Sequence, residues 1–361
     1  MLSDVLECWH ALAPFSAVSF RAQSRNLLHA RDALPGPHHL TMNRYPMIDL
    51  LFLLAGVVLL SVGGESLIRG ALAAADRIGL SPLLSGLLIV GMGTSTPELA
   101  VSVDAALSQR PDIAVGNVVG SNISNILLIL GTCALISPIA VPPTSLSRDA
   151  LAMVGTTALA MLLMTTGALL TRLDALLLLA VLAGYLVWAY QSERALYAAS
   201  ATVYDDATSS SSLSTGWMLL YIVGGLGLLV GGSQVLLRGA VGIATLFGLS
   251  EAVIGLTIVA VGTSLPELAV STIAALRGQA EVAVGNVLGS NIFNLLGILG
   301  VSAVVQPLGI PERVLAIDQW VMGGTALILI AFLFTGRRLT RIEGTLLFGG
   351  YIAYIALSVI V

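Results

Sequence analysis

Lysine is absent from this sequence: all sixteen basic residues are arginine, set against twenty acids for a formal net charge of −4. That balance excludes the strongly basic face of a nucleic-acid binder and a polybasic segment lying on an anionic membrane. Cysteine is almost as scarce. Cys8 lies in a polar N-terminal stretch and Cys133 in an apolar run, which excludes a disulfide framework. The four histidines, His10, His29, His38 and His39, all fall within residues 1–46. The rest of the chain therefore lacks the commonest metal ligand and proton relay.

Charge of either sign makes up only 10% of the 361 residues, whereas 57% are hydrophobic, and the mean hydropathy is +0.96. These values lie far outside the range of a soluble domain and describe a polytopic membrane protein. A hydrocarbon core of about 30 Å is crossed by roughly 17 to 25 apolar residues. Ten such stretches occur, at about 48–72, 82–107, 112–136, 149–170, 173–191, 216–242, 251–276, 281–305, 314–335 and 342–361. No alternating strand pattern appears, so all ten are read as helices, which satisfy their own backbone in lipid. Residues 1–46 read as a polar extension, disordered or a start-site artefact, with Met42 or Met47 offering a start before the first span.

The chain repeats itself. An offset of 169 residues superposes Gly93 on Gly262, Glu98 on Glu267 and Asn125 on Asn294 without a gap, and roughly two-thirds of the positions over 93–131 are identical. A looser match, "GGESLIRGA" at 63–71 against "GGSQVLLRGA" at 231–240, aligns Arg69 with Arg238. Each half, 47–191 and 216–361, holds five expected spans. Five is odd, so the second half enters the membrane from the opposite side: an inverted repeat, typical of transporters that alternate access around a midplane site. Residues 192–215, serine-rich and polar, read as a flexible linker. Arg77, Arg148, Arg194, Arg277, Arg337, Arg338 and Arg341 fall in one set of alternate loops, and Arg44, Arg110, Arg172 and Arg313 in the other. The excess makes the first set, linker included, cytoplasmic and leaves both termini extracytoplasmic.

Two acids sit where acids are costly. Glu98 and Glu267 lie inside apolar runs, in "MGTSTPELAV" at 92–101 and "VGTSLPELAV" at 261–270, where a carboxylate costs roughly 2.5–3.5 kcal/mol on insertion scales. With no lysine, and only Arg69 and Arg238 placed well inside spans, a bound cation is the natural partner. Thr94 and Ser95 precede Glu98 by four and three residues, as Thr263 and Ser264 precede Glu267, a spacing that puts the hydroxyls on the carboxylate's helix face. Pro97 and Pro266 should break or kink the helix and free carbonyls around Gly91 and Ala260.

A second element follows on the next span, "GNVVGSNISN" at 116–125 and "GNVLGSNIFN" at 285–294. It places Ser121 with Asn125, and Ser290 with Asn294, on one face. Gly116, Gly120, Gly285 and Gly289 permit close helix approach or local unwinding; such GxxxG spacing is usually packing. Asp104 aligns with Ile273 and reads as a core or cavity-edge residue, and Glu65, aligned with Gln234, as structural. Carboxylate, hydroxyl and amide oxygens suit hard cations such as Ca2+ or Na+, and neither motif contains a His or Cys for zinc or copper.

These two duplicated motifs resemble the alpha-repeats of the sodium/calcium exchanger family, prokaryotic type, within the cation/Ca2+ antiporter superfamily, over residues 47–361. The resemblance implies ten helices, a central Ca2+ site flanked by Na+ sites, and exchange of Na+ for Ca2+. It implies as ligands Thr94, Ser95, Glu98, Ser121 and Asn125, with Thr263, Ser264, Glu267, Ser290 and Asn294. Ca2+ and Na+ would be substrates; no resident cofactor, no enzymatic reaction and no nucleic acid is expected, and the surroundings are the lipid bilayer of the cell (inner) membrane. Several relatives carry aspartate where Asn294 stands, so potassium coupling is not expected. The proton-coupled branch carries a glutamate near Ser121 or Asn122, and near Ser290 or Asn291; its absence makes Na+ the expected driving ion. Ca2+/H+ antiport and a cation channel are the other readings of the same acids. An intramembrane hydrolase would lack a base for its hydroxyl nucleophile.

Overall fold

The computed structural model describes residues 46–140, 143–201, 213–248, 260–336 and 338–360. The N-terminal extension, the linker residues 202–212 and the stretch 249–259 ahead of the second acidic motif lie outside them. Among the described residues ten helical rods follow in order: α1 (Pro46–Ile78), α2 (Pro82–Thr94 and Thr96–Leu107), α3 (Pro111–Ile136), α4 (Pro143–Gly167), α5 (Arg172–Ala201), α6 (Thr215–Leu246), α7 (Ala260–Gly262 and Leu265–Leu276), α8 (Ala280–Val305), α9 (Val314–Asp318 continued by Gln319–Gly336) and α10 (Arg341–Ile360). Among the described residues, seven helices are long and apolar enough to cross a membrane alone, and the two halves of α2 make an eighth. α5 continues helical to Ala201, ten residues into the stretch expected to be linker. Its sequence there, "SERALYAASA", is rich in strong helix formers, which outweighs its polarity.

The inverted repeat is visible in the smallest elements. Strand β1 (Ile139–Ala140) pairs antiparallel with β4 (Arg338–Leu339), and β2 (Leu169–Leu170) with β3 (Leu308–Gly309). The offset of 169 carries β1 onto β3 and β2 onto β4. Each strand pair is thus the image of the other, and each stitches a loop of one half to a loop of its partner half.

Burial separates the helices into a centre and a flank. Of the apolar windows of α8 and α3, 83% and 72% are buried, against 22% for α1 and α6. α1 and α6 present Leu50, Leu51, Leu54, Val58, Leu219 and Val223 outward, a surface suited to lipid. They face each other along a glycine seam: Gly56, Gly63 and Gly70 on α1, Gly225, Gly232 and Gly239 on α6, spaced by seven and so kept on one face. An added Cβ would meet Leu236 Cβ at 2.5 Å from Gly56, Leu228 Cβ at 2.9 Å from Gly63 and Leu59 Cβ at 2.9 Å from Gly232. Partner numbers fall as α1 numbers rise, so the two helices run antiparallel with their backbones almost touching.

Polar anchors secure the outer helices α4, α5, α9 and α10. Tyr185 donates to Asp149 at 3.0 Å, and its repeat image Tyr354 donates to Asp318 at 3.1 Å. The arginines that complete each cluster are not images of one another. Arg148 grips Asp149 at 2.7 Å and Glu193 at 3.2 Å and is 9% exposed, whereas Arg313 reaches Asp318 at 3.3 Å and is 40% exposed. Removing one partner of a buried pair costs up to about 3–5 kcal/mol, less where a second partner such as Glu193 is left to the arginine, while an exposed pair is worth about 0–1 kcal/mol. Asp149→Ala is therefore expected to lower the melting temperature of the detergent-solubilised protein much more than Asp318→Ala; equal losses would show that the arginine's exposure does not set the cost.

Candidate cation site

Each acidic motif breaks its helix and restarts it. In α2 the break falls at Ser95, with a bend of 43° between the two half-helices. In α7 it falls at Thr263 and Ser264. Pro97 and Pro266 occupy the first turn of the second half-helix, where a missing N–H is no loss. Glu98 and Glu267 lie in that same first turn, where the positive end of the half-helix favours a carboxylate. The second motif puts π-helical turns into α3 and α8, beginning at the repeat images Asn125 and Asn294. Such turns widen a helix and commonly mark functional positions.

The two halves cross at the glutamates. Ser95 donates to Glu267 at 3.0 Å, and Ser264 donates to Glu98 at 3.2 Å. Ser95 and Ser264 cap the restarted half-helices, their carbonyls accepting from the Leu99 and Leu268 amides at 3.1 and 3.0 Å, and the hydroxyls expected on the face of their own glutamate reach the glutamate of the opposite half. Each carboxylate is thus joined, through one hydroxyl, to the motif that carries the other. Of the ten expected ligands, Thr94, Ser95, Glu98, Ser121, Asn125, Ser264, Glu267, Ser290 and Asn294 are buried, and Thr263 is half-buried.

Other contacts tie these residues to the central helices. Ser290 donates to the Gly91 carbonyl at 3.1 Å, which also accepts from the Ser95 amide at 3.2 Å, so this carbonyl is held by protein donors. Asn125 donates to Asn291 at 3.0 Å. Gly285 and Gly289 bring α8 onto the first half of α2: a Cβ there would lie 2.1 Å from the Leu83 carbonyl oxygen and 2.3 Å from that of Leu87. Gly116 and Gly120 have no described neighbour within 4 Å; the residues at the equivalent place ahead of α7 lie outside the described ones. Asp104 is exposed, and Glu65 bridges Arg69 at 2.8 Å and Arg277 at 3.0 Å.

After these bonds are made, Glu98 Oε2, Glu267 Oε2, Asn125 Oδ1 and Asn294 Oδ1 remain buried without a hydrogen-bond partner among the described residues. All four are acceptors, two of them carboxylate oxygens, and all four come from the duplicated motifs. Buried acceptors left unpaired are expensive, and a hard cation is the partner that satisfies several at once.

Reading the sequence for ligands passed over Asn117, Asn286, Ser102 and Ser271. Asn117 donates to the Glu98 carbonyl at 3.2 Å and to Ser102 at 2.9 Å; Asn286 donates to the Glu267 carbonyl at 3.3 Å and to Ser271 at 2.8 Å. All four are identical between the repeats, and that duplication was the available signal.

A family model described as sodium/calcium exchanger protein matches residues 48–191 and 217–360, one match per half. The sodium/calcium exchanger MaX1 of Methanosarcina acetivorans is 33% identical over 343 residues, covering 85% of this chain and 97% of the relative. A protein of Alkalimonas amylolytica named as an antiporter, CaxA, is 40% identical over 312 residues, covering 85% and 98%. Among solved structures, the sodium-calcium exchanger NCX_Mj soaked with zero Na+ and Ca2+ superposes with a TM-score of 0.73 at 30% identity, covering 86% of this chain and 99% of that one.

Proposed function

Because the chain belongs to the sodium/calcium exchanger protein family, a family of multi-pass membrane transporters that carry out cation/Ca2+ antiport, we propose that it exchanges Na+ for Ca2+ by alternating access at the crossing of α2, α3, α7 and α8. The ligands are Thr94, Ser95, Glu98, Ser121 and Asn125 of one half and Thr263, Ser264, Glu267, Ser290 and Asn294 of the other. One observation carries this reading: four buried acceptor oxygens, two from each half and two of them carboxylate, have no hydrogen-bond partner among the described residues. Two negative charges balance one Ca2+ or two Na+, so the ions compete for the same glutamates. A third Na+ would leave the loaded site positive and make transport voltage-sensitive.

The glycine seam supports a division of labour. α1 and α6 are joined to each other along their length by backbone contact, and they flank a more deeply buried α3–α8 centre. When a cation neutralises the glutamates, the α1–α6 pair shifts as one body past the site and exposes it on the other side. An empty site, with two adjacent uncompensated carboxylates, resists that passage. Arginine placement makes the loops holding Arg77, Arg148 and Arg277 cytoplasmic, with both termini outside the cell (inner) membrane.

Na+ is favoured over H+ as driving ion because the second motif offers only Ser121, Asn122, Ser290 and Asn291, none of which takes up a proton. Radioactive Ca2+ uptake into proteoliposomes tests this. Uptake is expected with an outward Na+ gradient and is expected to vanish when K+ replaces Na+. Uptake driven by a pH gradient without Na+ would make the protein a Ca2+/H+ antiporter, and Ca2+ flux with no counter-ion would make it a channel.

A further inference from the structure

We propose that Asn286 and its repeat image Asn117 are positioning residues that set the geometry of the cation site without touching the ion, and that Asn286 also sets the proton direction of a ligand hydroxyl. The inference rests on the proposed transport at that site.

Asn286 is fully buried on α8. Its amide nitrogen has two protons, and both are spent: one on Ser271 Oγ at 2.8 Å, one on the peptide carbonyl of Glu267 at 3.3 Å. The orientation is dictated by chemistry, because a peptide carbonyl only accepts and a flipped amide would set oxygen against oxygen. Asn286 Oδ1 is thereby aimed at Thr94 Oγ1, 3.2 Å away. Thr94 must be the donor in this bond.

A second acceptor, the Gly91 carbonyl, lies 3.3 Å from the same hydroxyl, but it already takes Ser290 Oγ at 3.1 Å and the Ser95 amide at 3.2 Å. Of these two acceptors Asn286 Oδ1 is the less occupied, and a Thr94 proton held there leaves the lone pairs of the hydroxyl oxygen to a cation. One side chain thus fixes the backbone that carries Glu267 and turns the Thr94 hydroxyl of the opposite half into an oxygen ligand.

Asn117 repeats the clamp with Ser102 Oγ at 2.9 Å and the Glu98 carbonyl at 3.2 Å. The offset of 169 that carries Asn117 to Asn286 also carries Thr94 to Thr263. Unlike Asn125 and Asn294, whose carbonyl oxygens have no hydrogen-bond partner among the described residues, Asn286 has both amide protons and its carbonyl oxygen engaged within the protein, which marks it as a residue that holds ligands in place.

The test compares Asn286→Ala in the full-length protein, alone and on a Thr94→Ala background, by cation KM and Vmax in proteoliposomes and by melting-temperature shifts on adding Ca2+ or Na+ in detergent. Asn286→Ala is expected to raise the apparent cation KM about tenfold, with Vmax within about threefold. On Thr94→Ala the same change is expected to cost only about threefold, because the Asn286–Thr94 bond is already gone and only the hold on the Glu267 carbonyl is left to lose. A KM within about twofold of wild type, or a full tenfold rise retained without Thr94, would overturn the proposal. If Asn286→Ala fails to fold, Asn286→Asp carries the test, since it keeps the shape but sets an acceptor against the Glu267 carbonyl; the same rise in KM is expected. A wild-type protein stabilised by neither Ca2+ nor Na+ would instead refute the proposed transport itself.

Discussion

Glu98→Gln and Glu267→Gln are each expected to lower Ca2+ transport by about a hundredfold or more, the equivalent of roughly 3 kcal/mol of lost interaction with the ion. Glutamine keeps the size and an oxygen but removes one of the two charges that balance Ca2+ in a buried site. Because each glutamate sits in the first turn of a restarted half-helix and accepts a hydroxyl from the opposite half, the two losses should be similar. The fold should not suffer, since deleting one of two adjacent buried charges relieves repulsion. Each variant is therefore expected to melt no lower than wild type without Ca2+ and to lose the rise in melting temperature that Ca2+ produces. Glu65→Gln is the control: its carboxylate is partly exposed and paired with Arg69 and Arg277, and its loss should change transport by no more than about twofold. Exchange that survived both glutamine substitutions would sink the acidic-site mechanism.

The second large effect comes from a residue without a side chain. Gly285→Val places a Cβ 2.1 Å from the Leu83 carbonyl oxygen and 3.1 Å from the Leu87 amide. Both obstacles are backbone, so no rotamer change relieves the clash, and α8 must move away from α2. That separation pulls on the Ser290–Gly91 and Asn286–Thr94 bonds and opens the most buried part of the bundle. A cost on the order of 3 kcal/mol or more is expected, read as loss of a monodisperse peak and of transport. Gly184→Ala, on α5 with no described atom within 4 Å, should leave both intact. A folded, active Gly285→Val protein would show that this helix contact is not tight.

Much of this architecture was legible as text because lipid makes the code strict. A bilayer allows few structures, so ten apolar runs translate directly into helices, and a gap-free duplication with an odd number of spans translates into an inverted repeat. The expense of a buried carboxylate drew attention to Glu98 and Glu267. The glycine seam was also present in the letters, as Gly56, Gly63 and Gly70 and their images at a spacing of seven, but glycine is frequent throughout this chain and the spacing alone does not reveal which helix lies opposite. The linker boundary was misjudged for a local reason, polarity having been weighed above the helix preference of "SERALYAASA".

By itself, then, the sequence determined the membrane environment, the helix count, the two-halved plan and the residue types that converge on the site. Only the tertiary structure decided who bonds to whom. Ser95 serves Glu267 and Ser264 serves Glu98, because a shared helix face says which way a hydroxyl points and not which residue of another helix it meets. Asn117 and Asn286 proved to be clamps, because an amide's role is set by which acceptors its two protons meet, and those acceptors lie 15 and 19 residues away on another helix.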